Sequence, residues 1–161
     1  VKPVKISNDF KKEIESSIVL CYLGTHRNAS TIEKAKFENY NFPTILNEIN
    51  ESSKAYINEF KQESGIENLG RNLNNLWNLK KKLHNSVSNE KIDQLYNLGI
   101  KHGALGGKVL GAGGGGFLLF IVPKIYIEQF KNEITCHTLN ISFENRGAVI
   151  FDIKGTKDDW N

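Results

Sequence analysis

The strongest constraint on this chain is a glycine-rich stretch at residues 103–116, GALGGKVLGAGGGG, which holds eight of the 14 glycines among 161 residues. Glycine adopts positive φ and lets the backbone approach a neighbour closely, but it costs about 0.5–1 kcal/mol in regular structure. Such a concentration predicts a segment that bends sharply, or that brings its backbone against a ligand or another part of the chain.

Two common phosphate-binding loops do not fit this stretch. A Walker A loop would need glycine in place of His102 and a hydroxyl in place of Val109. The dinucleotide pattern G-x-G-x-x-G is met literally within residues 111–116, but its chemistry requires a helix to follow. Residues 117–122 instead have the composition of a strand, which Pro123 ends.

A third interpretation is a glycine loop inside a β-hairpin, with residues 108–110 leading in and residues 117–122 leading out. Consecutive glycines present backbone N–H groups as a concavity that binds anions. The candidate phosphate-binding loop consists of Gly111, Ala112, Gly113, Gly114 and Gly115. The alternative is a crowded turn, in which glycine is needed only for close packing.

The hydrophobic pattern along the chain predicts an α+β fold. Strands are expected at residues 4–6, 17–23, 117–122, 141–143 and 148–153, and helical segments at 8–15, 29–101 and 124–135. Residues 144–147 are expected to form a hairpin turn. Strands separated by one helical layer favour an antiparallel sheet of the ferredoxin-like, split βαβ type.

Composition limits the classes of partner. The net charge of +3 is small and lysines alternate with acidic residues, so no nucleic-acid partner is expected. The run Lys80 to Lys82 is interpreted as a solvated helix face. The longest apolar runs are far below the ~20 residues of a membrane span, so no membrane is expected.

The spacing of the cysteines and histidines indicates neither a CxxC motif nor a metal site. Cys21 and Cys136 form no CxxC motif, which indicates reduced thiols in a cytoplasmic protein. The histidines at 84, 102 and 137 are too far apart to suggest a metal site. The chain begins at Val1 and has no methionine, so it is expected to be either a processed product or a piece of a longer protein.

Four polar residues are candidates for substrate binding. Thr25, His26 and Arg27 follow a predicted buried strand, where polar side chains gather at the end of a sheet. The planar fork of Arg27 suits a phosphate or sugar hydroxyls, whereas the alternative is a helix-entry turn capped by Asn28. His26 as a general base has no carboxylate placed by sequence to orient it. Lys108 either pairs with phosphate or points to solvent.

Residues 103–117 resemble the third conserved motif of the GHMP small-molecule kinases in order, spacing and the strand that follows. Residues 20–30, LCYLGTHRNAS, are similar to a strand of that family that ends in Gly-x-x-Arg-x-Ala/Ser. The strand at 117–123 and the helix after it extend the resemblance over nearly all of the chain. Within the superfamily, the chain is most similar to the C-terminal half of the D-glycero-D-manno-heptose 7-phosphate kinases.

This resemblance implies that residues 1–161 form the C-terminal domain of an ATP-dependent sugar kinase. The implied reaction phosphorylates the anomeric hydroxyl of D-glycero-D-manno-heptose 7-phosphate to give the 1,7-bisphosphate. In GHMP kinases an N-terminal half carries the phosphate loop and the acidic residues for Mg²⁺. Nothing in residues 1–161 supplies that half. We therefore expect that half to bind ATP and Mg²⁺ and to carry the catalytic residues, which this sequence does not identify. This chain alone is expected to be inactive.

Two other interpretations stay open. One is a different GHMP sugar kinase, similar to galactokinase or fucokinase. The other is a free-standing ferredoxin-like module without enzymatic activity, which uses the glycine hairpin against a partner protein.

Overall fold

The computed structural model describes residues 4–24 and 29–144. The helices are α1 (Asn8–Ser17), α2 (Ala29–Phe37), α3 (Phe42–Lys61), α4 (Ile66–Lys81), α5 (Glu90–Lys101) and α6 (Ile127–Glu133). The strands are β1 (Ile18–Tyr22), β2 (Gly106–Val109), β3 (Phe117–Ile121) and β4 (His137–Leu139), and 3₁₀ turns span Asn85–Val87 and Lys124–Tyr126. None of the described helices is long and apolar enough to cross a bilayer.

The four described strands form one antiparallel sheet in the order β2-β3-β1-β4. Leu20 in the middle of β1 lies opposite Leu119 of β3 and Leu139 of β4. Four helices separate β1 from β2, a hairpin joins β2 to β3, and α6 connects β3 to β4. This order is that of the ferredoxin-like split βαβ arrangement, so the predicted fold class is confirmed.

Local sequence signals set the helix ends. The Ser7 hydroxyl accepts a hydrogen bond of 3.1 Å from the N–H of Phe10 and caps α1. The Asn89 side chain does the same for the N–H of Ile92, also at 3.1 Å, at the start of α5. Pro43 lies in the first turn of α3, where its missing N–H removes no helical hydrogen bond.

The core lies on both sides of the sheet because successive side chains of a strand point to opposite faces. Val19 and Cys21 join a large cluster, whereas Ile18 joins a smaller one. The large cluster includes the fully buried rings of Trp77, Phe120 and Phe130. Phe10 and Ile14 of α1 cover the smaller cluster.

The close contact between α4 and β2 depends on glycine. A Cβ atom on Gly106 would overlap the carbonyl oxygen of Gly70 in α4, and one on Gly70 would overlap Leu105. A Cβ atom on Gly107 would overlap the carbonyl oxygen of Leu119 in β3. The first part of the glycine-rich stretch therefore serves the packing of a helix and a strand against β2.

Two strand predictions are wrong. Residues 4–6 are not a strand, because β3 and β4 already occupy both edges of β1. Residues 141–143 are not a strand either: β4 lies earlier in the chain, and the N–H of Phe143 instead donates to the Glu15 carboxylate at 2.6 Å. The predicted strand at 148–153 lies outside the described residues, as do residues 145–147 of the predicted turn.

Candidate functional site

The glycine loop, residues 110–116, is the turn of the β2–β3 hairpin. The N–H of Leu110 donates to the carbonyl of Phe117 at 2.9 Å and closes its base. Four of its glycines have positive φ, at Gly111 (65°), Gly113 (109°), Gly114 (71°) and Gly116 (83°). The predicted placement between two strands is confirmed, which excludes the strand-to-helix geometry of a dinucleotide fold.

Contacts with two other segments hold the glycine loop. The N–H of Gly114 donates to the carbonyl of Val87 at 2.8 Å, and the carbonyl of Gly116 accepts from the N–H of Leu23 at 3.0 Å. A Cβ atom on Gly113 would lie 2.7 Å from the carbonyl oxygen of Val87. The crowded-turn interpretation is therefore right for Gly113, whereas the space around a Cβ on Gly111 is open.

Several amides of the glycine loop have no hydrogen-bond acceptor among the residues that the structure describes. Within the described part of the chain, the N–H groups of Gly111, Ala112, Gly113 and Gly115 donate no hydrogen bond. Gly113 and Gly115 are buried, and a buried N–H without a partner is costly. A rigid loop with several unpaired amides has the chemistry of an anion-binding concavity.

Lys80 holds the start of the loop from α4. Its ammonium donates to the carbonyl of Val109 at 3.1 Å and to that of Gly111 at 2.5 Å. The interpretation of Lys80 to Lys82 as a solvated face is therefore wrong for Lys80. Lys81 also has a partner, because its ammonium lies 5.7 Å from the centroid of the Trp77 ring. The last turn of α4 lies beside the loop, so its lysine stems cover apolar surface while their charged heads find partners.

Burial and like charges change the acidity of two lysines. Burial and, to a smaller extent, the nearby Lys108 and Lys36 together lower the pKa of Lys80 to about 8, while Glu33 opposes this shift. Burial also lowers the pKa of Lys108. Lys108 lines a cavity instead of pointing into open solvent, and its contact with phosphate remains a prediction.

A second, larger cavity of about 980 Å³ lies at the end of β1. It is lined by Gly24, by the first turns of α5 and by the segment from Thr135 to His137. Thr25, His26 and Arg27 directly follow Gly24 and lie outside the described residues, so their roles remain predictions.

The two cysteines are neighbours in space. Both are free, and their thiols form a hydrogen bond that raises the pKa of the buried Cys21 and lowers that of Cys136. Among the described residues, no group of three His, Cys, Asp or Glu side chains could hold a metal ion.

Sequence reasoning missed the roles of Lys36 and Lys80. Lys80 continues the apolar stripe of α4, three residues after Trp77, and Lys36 follows the buried Ile32 by one helical turn. A lysine on the buried stripe of a helix is the signal that could have identified them, because such a charge needs a partner.

Comparisons with known proteins agree with this architecture. Residues 56–140 match the family described as GHMP kinases C terminal. The chain is 32% identical over 126 residues to the D-glycero-alpha-D-manno-heptose 7-phosphate kinase of Campylobacter jejuni, covering 76% of this chain and 37% of that protein.

Solved structures show the same fold. The mevalonate kinase of Methanococcus jannaschii is similar with a TM-score of 0.69 at 23% identity, over 88% of this chain and 44% of that one. A D-glycero-D-manno-heptose 1-phosphate kinase from Bacteroides thetaiotaomicron gives a TM-score of 0.55 at 21% identity, over 87% of this chain and 37% of that one. The chain thus spans less than half the length of each of these relatives. The family match covers the hairpin, the glycine loop and the helix that carries Lys80, and it shows that the chain belongs to the GHMP kinases and carries their C-terminal domain.

Proposed function

We propose that the protein containing this chain is an ATP-dependent sugar kinase, and that its substrate is D-glycero-D-manno-heptose 7-phosphate, phosphorylated on the anomeric hydroxyl. The identity of 32% to the Campylobacter jejuni heptose 7-phosphate kinase supports this substrate. In the proposed reaction the anomeric oxygen forms a bond to the γ-phosphorus of ATP. The bond to the bridging oxygen breaks, ADP leaves, and the hydroxyl proton passes to a base that this chain does not identify.

The observation that carries the proposal is the set of glycine-loop amides that donate no hydrogen bond to any residue that the structure describes. Phosphoryl transfer depends on positioning and on neutralising charge spread over the phosphate oxygens. The N–H groups of Gly111, Ala112 and Gly115 can donate to such oxygens, and the hydrogen bonds from Lys80 and to Val87 hold the loop in place. Donors fixed before the reaction stabilise developing charge without reorganisation.

We assign ATP and Mg²⁺ mainly to an N-terminal GHMP domain of the same protein, which would form the opposite wall of the site. The contribution that we propose for this chain is the loop amides together with substrate contacts of Lys108 and Arg27. A cytoplasmic location is proposed with this function, because ATP and sugar phosphates are cytoplasmic metabolites.

Steady-state ADP release by the full-length protein tests the proposal. The substrates to compare are heptose 7-phosphate, the unphosphorylated heptose, galactose, fucose and mevalonate. We expect the highest kcat/KM for heptose 7-phosphate. A higher value for galactose or fucose would assign the protein to another sugar kinase of the family, and no ADP release with any of them would favour the interaction module.

Gly111→Asn in the full-length protein tests the loop. Asparagine tolerates positive φ, and no atom lies within 4 Å of its Cβ position, so the fold is expected to remain intact. The new side chain crowds the unpaired amides, and we expect kcat to fall about 100-fold. Gly113→Val is a poorer test, because its side chain would collide with Val87.

Gly103→Asn is the matched control. Gly103 also has positive φ, and its Cβ position meets Tyr126 at an ordinary 3.5 Å. This variant is expected to keep the activity of the natural protein, with both variants unfolding at similar temperatures. Equal activity of the two variants would remove the glycine loop from catalysis.

A further inference from the structure

A cavity of about 290 Å³ lies among α2, α3, α4 and β2, beside the start of the glycine loop. One wall is apolar and is formed by Phe42, Leu46, Ile49, Leu76 and Leu83. The other carries four charged side chains, those of Glu33, Lys36, Lys80 and Lys108. Apolar walls lower the local dielectric constant, so each charge in this cavity acts more strongly than it would in water.

The charges in the cavity do not balance. Lys36 is only 4% exposed and pairs with Glu33 at 2.7 Å. Lys80 is bound to two neutral carbonyl groups, and Lys108 has no hydrogen bond or ion pair among the described residues. Three ammonium groups and one carboxylate leave a surplus of two positive charges. Holding like charges together in a half-buried site destabilises the fold unless an anion compensates them.

We propose that this cavity binds the phosphate group that the sugar substrate already carries, the one that is not transferred. The proposal rests on the proposed kinase function. A phosphate monoester carries about two negative charges at neutral pH and three acceptor oxygens, which match the surplus charge and the lysine donors. The apolar wall shields one side of those contacts from water.

Lys80 connects this cavity to the glycine loop. Lys80 lines the cavity, and its ammonium donates to the carbonyl of Gly111, the first glycine of the loop. A phosphate bound beside Lys80 would therefore lie next to the loop, with the rest of the sugar free to extend toward the unpaired amides. The lowered pKa of Lys80 fits a site with too many cations, which an anion would relieve.

The test uses Lys36→Met and Lys108→Met in the full-length protein. We expect each to raise KM for heptose 7-phosphate about tenfold or more, because a charge-assisted hydrogen bond is lost. KM for ATP and kcat/KM for the unphosphorylated heptose should stay within about twofold. Lys34→Met removes the same charge from an exposed position of α2 and should change none of these values.

Two kinetic outcomes would overturn the proposal. A rise of KM for ATP alone would assign the cavity to nucleotide phosphate, and unchanged constants in both variants would show that the cavity binds no phosphate.

If no sugar phosphate is turned over, the kinase proposal fails and the cavity is tested by calorimetric titration with heptose 7-phosphate. Binding that is lost in the double variant Lys36→Met/Lys108→Met and kept in Lys34→Met would still support the cavity. Absence of binding to the natural protein would refute it.

Discussion

Lys80 shows how one side chain can depart from what its neighbours suggest. A run of three lysines near the end of a helix favours a solvated face, and Lys82 is indeed exposed. Lys80 differs because helical periodicity places it on the buried stripe three residues after Trp77, where the backbone of the glycine loop supplies acceptors. Its position in the stripe was visible in the sequence, but its partners were not, because they belong to a hairpin about 30 residues later.

The protonation of Lys80 is expected to move activity and stability in opposite directions. An ammonium donates stronger hydrogen bonds than a neutral amine, so loop positioning and kcat should fall as pH rises through about 8. The free energy of unfolding should instead rise between pH 8 and pH 10.5. In that window the unfolded chain still binds the proton that the folded protein has released.

Lys80→Met isolates this effect from the other charged groups of the cavity, which are Lys36, Lys108 and Glu33. We expect the variant to have a kcat about tenfold lower at pH 7, with the decline near pH 8 removed from its kcat profile. Its free energy of unfolding should rise less between pH 8 and pH 10.5 than that of the natural protein. An unchanged alkaline profile of kcat would mean that Lys80 does not position the loop through its charge.

Among the elements, the sequence predicted the hairpin and the helices correctly. It also predicted two short strands, at residues 4–6 and 141–143, that the structure does not contain. Residues 17–23 and 117–122 have continuous apolar runs bounded by Gly24 and Pro123, and both contain observed strands. Residues 141–143 alternate like a strand, but Ile141 packs against the small cluster beside α1. Period-2 alternation identifies a surface with one buried side, not the partner that covers it.

The contact between α4 and β2 is expected to tolerate no side chain at Gly106. A methyl group there would overlap the carbonyl oxygen of Gly70, so the helix and the strand would have to move apart. We expect Gly106→Ala to lower the free energy of unfolding by about 3 kcal/mol, measured by urea denaturation.

Gly111→Ala is the matched control for this contact, because only positive φ is strained at that position. Its cost should be about 1 kcal/mol. Equal costs for the two alanine variants would mean that α4 and β2 can separate without loss.

For the whole molecule, the sequence predicted the topology of the sheet better than it predicted the functional site. The order of strands and helices leaves few right-handed arrangements, and one of them is the observed sheet. The cavity of Lys36, Lys80 and Lys108 brings together three distant parts of the chain, which no local pattern reveals. The contribution of Thr25, His26 and Arg27 remains a prediction from their position after β1 and from the chemistry of their side chains.

A protein consisting of residues 1–161 alone is expected to release no ADP above background with heptose 7-phosphate, ATP and Mg²⁺. The reason is that the nucleotide and the metal ion are assigned to the N-terminal domain. Adding that domain as a separate chain should restore activity in proportion to its concentration. Turnover by residues 1–161 alone would show that this domain carries the complete site.

The hydrogen bonds from Lys80 to Gly111, from Gly114 to Val87 and from Leu23 to Gly116 have a thermodynamic consequence for ligand binding. A free loop of seven residues would lose conformational entropy whenever a ligand ordered its backbone. Here that loss occurs once, during folding, and is offset by the stability of the domain. Association at the loop can then be fast and reversible with little entropic penalty, which suits a site that must release its product in every cycle.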